Sequence, residues 1–385
     1  MVNIATIFRP KHAVLSLNAQ AESATPARER SQFEVLVRHL LYRFFHNELL
    51  ASDDETRRIM LISYVVALPT LVVSLYLFAA YHSPLIHPRP YWPQIGDHYF
   101  YVMYSFILMG AATVYEWDLL FPDLLDVFVL SILPISTRRL FFARVLALTI
   151  FLALVLIGTS ILGIIFFPVL TEIQPYGRHL LAHIVAVLMS GTFAAATFLA
   201  LQGILLNTIG ERIFRRITPI LQGGSLMLLL TVLLLYPTLA PALQPLLASG
   251  SAAVRCFPPF WFLGIYERIV AGPSALPIFS ELARTGCIAV LVVLALTLVT
   301  YPLAYRRRVR QLVEGSSAVA TSGPTAAPLH RVLHAIILRL PAQRAIFHLV
   351  SQTILRSQRQ RVMLALYGGL ALALAIADID RKSDG

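Results

Sequence analysis

Six long apolar runs occupy most of residues 59–304, and polar connectors separate them. A helix of about 20 apolar residues crosses the roughly 30 Å hydrocarbon core of a bilayer, so each run is long enough to do so. Helices are predicted because unpaired backbone groups cost several kcal/mol in lipid, and the chain lacks the alternating segments of barrel strands. We therefore predict an all-α, polytopic transmembrane helix bundle. The runs are Ile59–Tyr81, His98–Glu116, Leu140–Leu170, His179–Asn207, Pro219–Ala240 and Leu282–Ala304.

The segments that flank the runs have distinct compositions. Residues 1–31 are polar and aperiodic, which predicts a flexible tail. Residues 305–361 are basic and include a linker rich in Gly, Ser, Ala, Thr and Pro, from Gly315 to Pro328. A seventh apolar run, Val362–Ala377, is short for a span and ends abruptly in polar residues 378–385, which suggests a shortened chain.

Residues 32–58 precede the first span as a predicted amphipathic helix and its connector. Within Gln32–Leu50, apolar residues recur at helical spacing on one face, and Arg38, His39 and His46 lie on the other. We favour a helix in the membrane interface because a span follows directly, and a helix packed on protein is the alternative. The apolar face consists of Phe33, Leu36, Val37, Leu40, Leu41 and Phe44.

Charge and composition place the chain in a membrane. The chain is 57% hydrophobic and only 13% charged, well outside the range of soluble domains. Its net charge of +11 comes almost wholly from arginine and is concentrated in alternate connectors, which argues against nucleic-acid binding. By the positive-inside rule this alternation places the N-terminus in the cytoplasm. We therefore expect a multi-pass protein of the cell (inner) membrane.

Two predicted cytoplasmic connectors combine acids with arginines. Each is either an ordinary solvated connector or a docking surface for a cytoplasmic partner. In the second connector, binding to anionic lipid headgroups alone would account for the arginines. The first connector contains Glu116, Asp118, Asp123, Asp126, Arg138 and Arg139, and the second contains Glu211, Arg212, Arg215 and Arg216 after Gln202 and Asn207.

An aromatic segment lies in the longest predicted outer loop. It runs from Pro258 to Phe262 and continues to Tyr266, Glu267 and Arg268. We favour an aromatic belt at headgroup level, and a short re-entrant or surface helix is the alternative.

Motifs for catalysis or metal binding are weak. His179 and His183 are spaced i, i+4, as are His330 and His334, but neither pair has a neighbouring carboxylate or cysteine in sequence. No Gly-x-x-x-x-Gly-Lys-[Ser/Thr] loop occurs, so we expect no ATP site, no cofactor and no enzymatic activity in this chain. The scarcity of ionisable residues within the runs argues against a proton-coupled pump. Small residues from Ser190 to Ala196 predict a close helix contact, with another span or with a second copy.

Two segments carry a family resemblance. The chain resembles the permease subunits of type-two ABC exporters in Trp117–Asp123 and Leu133–Arg144. These segments contain an acidic stretch, a Leu-Pro-Ile-Ser-Thr-Arg turn and a basic residue that opens the third span. The order of an interfacial helix, six spans and a long outer loop between the fifth and sixth is also similar, over roughly Gln32–Arg310.

The resemblance implies a separate cytoplasmic ATPase subunit that carries ATP and Mg²⁺. Gln32–Leu50 and Asp118–Arg139 would rest on this ATPase, and a second permease or a second copy of the chain would complete the transporter. The region beyond Arg310 departs from a six-span permease, so the chain resembles a truncated member of a larger bacterial group.

Two rival functions remain open. A membrane transferase acting on lipid-linked substrates would hold Mg²⁺ through Asp123 and Asp126, or through Asp53, Asp54 and Glu55, although neither set is a complete twin motif. A non-transporting membrane scaffold would need neither metal nor ATPase.

Overall fold

A computed structural model gives the fold of the chain. It describes residues 32–44, 55–82, 89–117, 119–122, 136–171, 175–209, 211–313, 342–343, 346–347, 349–350 and 357–383. Within these ranges the regular structure is entirely helical, with no strand, which confirms the predicted all-α class.

The helices vary widely in length. We call the helix at residues 32–44 α1. The others are α2 (Glu55–Tyr81), α3 (Tyr91–Tyr115), α4 (Thr137–Thr171), α5 (Tyr176–Thr208), α6 (Glu211–Leu234), α7 (Tyr236–Ser249), α8 (Ala252–Cys256), α9 (Pro258–Ala271), α10 (Pro277–Val313) and α11 (Gln358–Ser383).

The chain divides into two compact units, Met1–Asn47 with Leu130–Phe151, and Glu48–Val129 with Leu152–Gly385. The first unit contains α1 and the beginning of α4. Phe44 stacks on Phe151 with ring centroids 4.9 Å apart. On α1 the predicted apolar face is buried at Leu36, Val37, Leu40 and Phe44, and the position of the helix in the membrane interface stays a prediction.

The core of the second unit lies around α3. This helix packs against α5, α6, α7 and α9, and 16 of its 25 residues are buried. Small residues of α5 meet it, since Ser190, Gly191, Ala194 and Ala195 are all buried. The close helix contact predicted for these small residues is therefore present, and it is made with α3 inside the same chain.

Among the described residues, five helical segments are long and apolar enough to span a membrane. Four correspond to the predicted third to sixth spans, and the fifth, Gln360–Ile379, is the run that the sequence marked as short. The helix extends beyond both ends of the apolar run Val362–Ala377 and so reaches the length of a span. The five segments are Arg138–Val169, Tyr176–Thr208, Ile217–Leu234, Pro277–Leu312 and Gln360–Ile379.

The first two predicted runs are not among these five segments. The apolar part of α2 in the searched residues is Ala67–Tyr81, which is shorter than a span. Most of α3 is covered by other helices, and its many tyrosines reduce its apolar character. A helix surrounded by protein does not need the uniformly apolar surface that lipid requires.

The predicted fifth run is divided between two helices. α6 ends at Leu234, and α7 begins at Tyr236 with Pro237 in its first turn. Proline has no backbone N–H to donate to the preceding turn, so it starts a helix more readily than it continues one. The end of Pro219–Ala240 therefore belongs to the connection that leads to α9.

Candidate functional site

α9 brings a carboxylate into the helix bundle. Its Pro258 and Pro259 open the first turn, and Gly272, at a φ of 60°, follows its last residue. At Gly264 the backbones of α9 and α10 nearly touch, because a Cβ there would lie 2.8 Å from the Phe279 carbonyl oxygen. Only glycine allows this approach, which holds α9 against α10 and fixes the position of Glu267.

The aromatic segment of α9 is buried within the protein. Phe260, Phe262, Leu263, Tyr266 and Glu267 are all buried. The segment is helical and these side chains pack inside the protein rather than at its surface, whereas its re-entrant or surface position in the membrane stays a prediction. The sequence pattern was ambiguous because aromatic residues are suited both to an interface and to a protein core.

Glu267 pairs with His98 of α3. The Nδ1 atom of His98 lies 2.7 Å from Oε1 of Glu267, and both side chains are almost completely buried. The imidazole also stacks on the ring of Tyr266, with centroids 4.1 Å apart. A buried carboxylate is costly unless it is paired, so the contact stabilises the α3–α9 packing only while both partners are present.

Two further histidines from α5 surround this pair. The ring centroid of His179 lies 5.8 Å from that of His98, and His183 lies 5.9 Å from Tyr266. His183 is fully buried, with its ring in contact with Tyr101 and Phe167. We call His98, His179, His183, Tyr266 and Glu267 the histidine cluster.

Several polar atoms of the histidine cluster have no hydrogen-bond partner within the described part of the chain. They are Nε2 of His98, Nδ1 of His179, both ring nitrogens of His183 and the hydroxyl of Tyr266. Unsatisfied buried polar groups are rare in folded proteins and are often found at functional sites.

The histidine cluster changes two sequence-based expectations. Ionisable groups are buried inside the bundle, so the argument from their scarcity does not hold for this region. The pair His179 and His183 also has a carboxylate close by, supplied by a residue far away in sequence. Even so, no group of three or more His, Cys, Asp or Glu side chains among the described residues is arranged to hold a metal ion.

A second ion pair lies beside the histidine cluster. Arg89 donates two hydrogen bonds to Asp97, at 2.7 and 2.8 Å, and its guanidinium lies 5.1 Å from the Tyr81 ring centroid. Asp97 also lines an open cavity of about 380 Å³ whose other walls are largely apolar, formed by α2, α3, α6 and α7. The cavity therefore combines an apolar wall with one charged end.

The C-terminal end of α3 is capped by side chains of other helices. Gln202 donates to the Trp117 carbonyl at 2.7 Å, and Gln222 donates to the Val114 carbonyl at 2.9 Å. The Tyr301 hydroxyl donates to the Leu120 carbonyl at 2.8 Å. The last carbonyls of a helix have no partner within it, so Gln222 supports the last turn of α3, and Gln202 and Tyr301 hold the segment that follows it.

The predicted docking residues fall into three groups. Asp118, Asp123 and Asp126 lie outside the described residues, as do the side chains of Glu211, Arg212, Arg215 and Arg216. Arg138 and Arg139 are exposed at the start of α4. Glu116 is buried, 3% exposed, so its carboxylate is not presented to a partner in this conformation. The docking surface stays a prediction.

Neither His98 nor Glu267 was selected as a site residue from the sequence. The two are 169 positions apart, and no local motif links them. The only available signals were the i, i+4 spacing of His179 and His183 and a lone glutamate in an aromatic segment.

Comparisons with known proteins add nothing about the role of this site. No family model, curated protein or solved structure matches the chain.

Proposed function

We propose that this protein is the permease part of an ATP-driven exporter and that the ATPase is a separate subunit. The observation that carries the proposal is the folding of the segment between α6 and α10. It forms three α-helices and a short 3₁₀ turn, and the last of the α-helices, α9, packs against α3, α5 and α10. A helix inserted between two apolar helices in this way supports the arrangement implied by the resemblance, with a folded outer segment between the fifth and sixth spans.

Further features fit the same arrangement. α1 precedes the first predicted span, and the connector that carries Asp118, Asp123 and Asp126 lies between α3 and α4. In the proposed orientation these elements face the cytoplasm and contact the ATPase, whereas α9 and the histidine cluster lie at the outer end. The cavity beside Asp97 is lined by α2, α3, α6 and α7 and would admit an amphiphilic molecule.

The proposed mechanism is alternating access. ATP-driven dimerisation of two ATPase subunits would change the angle between two permease halves and expose a central path outward. A ligand that binds two conformations with different affinity is moved by such a change without any bond chemistry in the permease. The contact between α9 and α10 at Gly264 would couple the outer end to the motion of α10.

Reversal of the three connector acids tests the docking surface. The triple variant Asp118→Arg, Asp123→Arg and Asp126→Arg should insert normally into the membrane but lose its co-purifying P-loop ATPase. The matched control is Glu281→Arg, which reverses an exposed carboxylate of α10. This control should retain the ATPase.

Two results would count against the proposal. Equal recovery of the ATPase with the triple variant would reject these acids as the docking surface. Absence of any P-loop ATPase from the unaltered protein would reject the permease function itself, provided that a known exporter stays intact in the same detergent.

A further inference from the structure

The cavity beside Asp97 has the size and lining of a small-molecule site. Its volume is about 380 Å³, and its walls come from α2, α3, α6 and α7. Most of the lining is apolar and includes Val73, Phe100 and Leu233. Pockets that bind small molecules have volumes of about 300–1,000 Å³ and combine such walls with a few polar groups. This cavity is at the lower end of that range, which favours a ligand with one hydrocarbon chain.

The aromatic wall of the cavity is held in place by other parts of the chain. The Tyr236 hydroxyl donates a hydrogen bond to the Gly96 carbonyl at 2.8 Å. The Tyr236 ring also packs edge-on against Phe100, with ring centroids 5.2 Å apart. Because this wall is already ordered, ligand binding costs less conformational entropy there. The hydroxyl proton of Tyr236 is committed to Gly96, so this side chain is not the donor to a ligand.

Asp97 is the one charged residue among the described residues that line the cavity. An ionised carboxylate offers about four acceptor positions, and Arg89 uses two of them, one on each oxygen. The interaction of Asp97 with the Tyr81 side chain uses at most one more. The carboxylate therefore retains the capacity to accept a hydrogen bond from a ligand.

The Arg89–Asp97 pair selects against a charged ligand. Its two charges cancel, and Arg89 is not among the described lining residues. A cationic head group would therefore add an uncompensated charge to a mostly apolar cavity, and an anionic head group would be repelled by the Asp97 carboxylate. An unpaired charge taken out of water costs several kcal/mol. An uncharged hydroxyl can donate to Asp97 without this cost.

We propose that the cavity binds an amphiphile with one long hydrocarbon chain and an uncharged hydroxyl head group. The hydroxyl donates a hydrogen bond to the Asp97 carboxylate, and the chain lies against the apolar walls formed by α2 and α6. Arg89 orients the carboxylate and balances its charge. A molecule of the same length that has a charged head group, or that lacks the hydroxyl proton, binds more weakly.

The role of this molecule as cargo rests on the permease proposal, but its binding does not. Binding is measured on the isolated full-length protein without ATP, whereas the permease proposal is tested by recovery of an ATPase. A protein that binds the amphiphile but has no ATPase would lose the permease function and keep the site. A protein that has an ATPase but does not bind the amphiphile would lose only the site.

Photocrosslinking with a long-chain alcohol tests the binding. The full-length protein in phosphatidylcholine nanodiscs is irradiated with a hexadecanol derivative that carries a diazirine in its chain and a terminal alkyne. Mass spectrometry should find saturable labelling within residues 67–81 and 233–237. Unlabelled hexadecanol should compete, and hexadecyl methyl ether, hexadecylamine and palmitate should compete severalfold less. Labelling that does not saturate, or equal competition by these three analogues, would overturn the proposal.

A variant that fills the cavity tests the location of the site. Val73→Trp places an indole at the α2 wall, so we expect a severalfold loss of labelling. The matched control is Val72→Trp, at a neighbouring exposed residue that does not line the cavity, and it should keep wild-type labelling. If Val73→Trp does not fold, Leu234→Trp serves instead, because Leu234 lines the cavity but is partly exposed. Wild-type labelling in the cavity variant, or an equal loss in Val72→Trp, contradicts the proposal.

Discussion

Ser105 of α3 and Ser190 of α5 tie their helices together by reciprocal hydrogen bonds. The Ser105 hydroxyl donates to the Val187 carbonyl and the Ser190 hydroxyl donates to the Val102 carbonyl, both at 2.9 Å. Hydroxyl donors on two small residues allow the backbones to approach closely and satisfy both polar groups inside the bundle. This contact positions His179 and His183 beside His98.

Substitution of Gly191 should disrupt the same contact. A Cβ at this position would lie 2.5 Å from Cδ1 of Leu156 and 2.7 Å from Oγ of Ser105. We expect Gly191→Val to lower the free energy of unfolding by about 1–3 kcal/mol, the usual cost of overpacking a core. The midpoint of thermal aggregation, followed by size-exclusion chromatography, measures the effect.

Gly158→Val is the matched control for this substitution. Gly158 is also helical, but a Cβ there would meet no atom within 4 Å. A similar loss in both variants would show that the α3–α5 contact is not the cause.

Removal of the Gln202 side-chain amide should destabilise the turn that follows α3. Gln202→Leu leaves the Trp117 carbonyl without the hydrogen bond that it accepts at 2.7 Å. An unsatisfied buried acceptor costs about 1–3 kcal/mol, so a clear decrease in thermal stability is expected. Gln244→Leu changes an exposed glutamine of α7 in the same way and should have little effect. Unchanged stability in Gln202→Leu would argue against this role.

The Arg89–Asp97 pair should show coupling in a double-mutant cycle. Each single substitution, Arg89→Ala or Asp97→Ala, leaves the other charge without its partner in a largely buried site. The loss for each should be about 1.5–3 kcal/mol, the range for hydrogen bonds to charged groups. The double variant should then be less destabilised than the sum of the two singles. Simple additivity would show that the pair does not act as a unit.

Cysteine labelling tests the orientation of the chain. Cys256 is exposed in α8, and Cys287 is exposed within the apolar part of α10. A maleimide that does not cross membranes, added to intact cells, should label Cys256 in a Cys287→Ala background. Cys287 should react poorly in a Cys256→Ala background because a water-soluble maleimide does not enter the hydrocarbon core around α10. Labelling of Cys256 only after the cells are lysed would reverse the predicted orientation.

The sequence was sufficient to predict the all-helical class and most of the helices that are long and apolar enough to span a membrane. Runs such as Leu140–Leu170 are apolar on all sides, which leaves few alternatives to a helix in a bilayer. It was less informative for α3, because hydropathy does not distinguish a helix that contacts lipid from one that is surrounded by protein. The tyrosines of α3 are explained only by the neighbours that cover them.

The histidine cluster could not be predicted from the sequence. His98 stands at the start of a predicted span and Glu267 in a predicted outer loop, and nothing in the local pattern brings the two together. Their contact depends on how α9 folds back between α3 and α10, which is a property of tertiary packing. The close contact that Gly264 allows between α9 and α10 can likewise be recognised only from the positions of both helices.

The proposed permease function requires an ATPase partner. Native mass spectrometry of the unaltered full-length protein, released from its own membrane, measures this directly. The account predicts a complex in which the chain and a P-loop ATPase are present in equal copy number. Detection of the chain alone, or with partners that include no ATPase, under conditions that keep a known exporter intact, would contradict it.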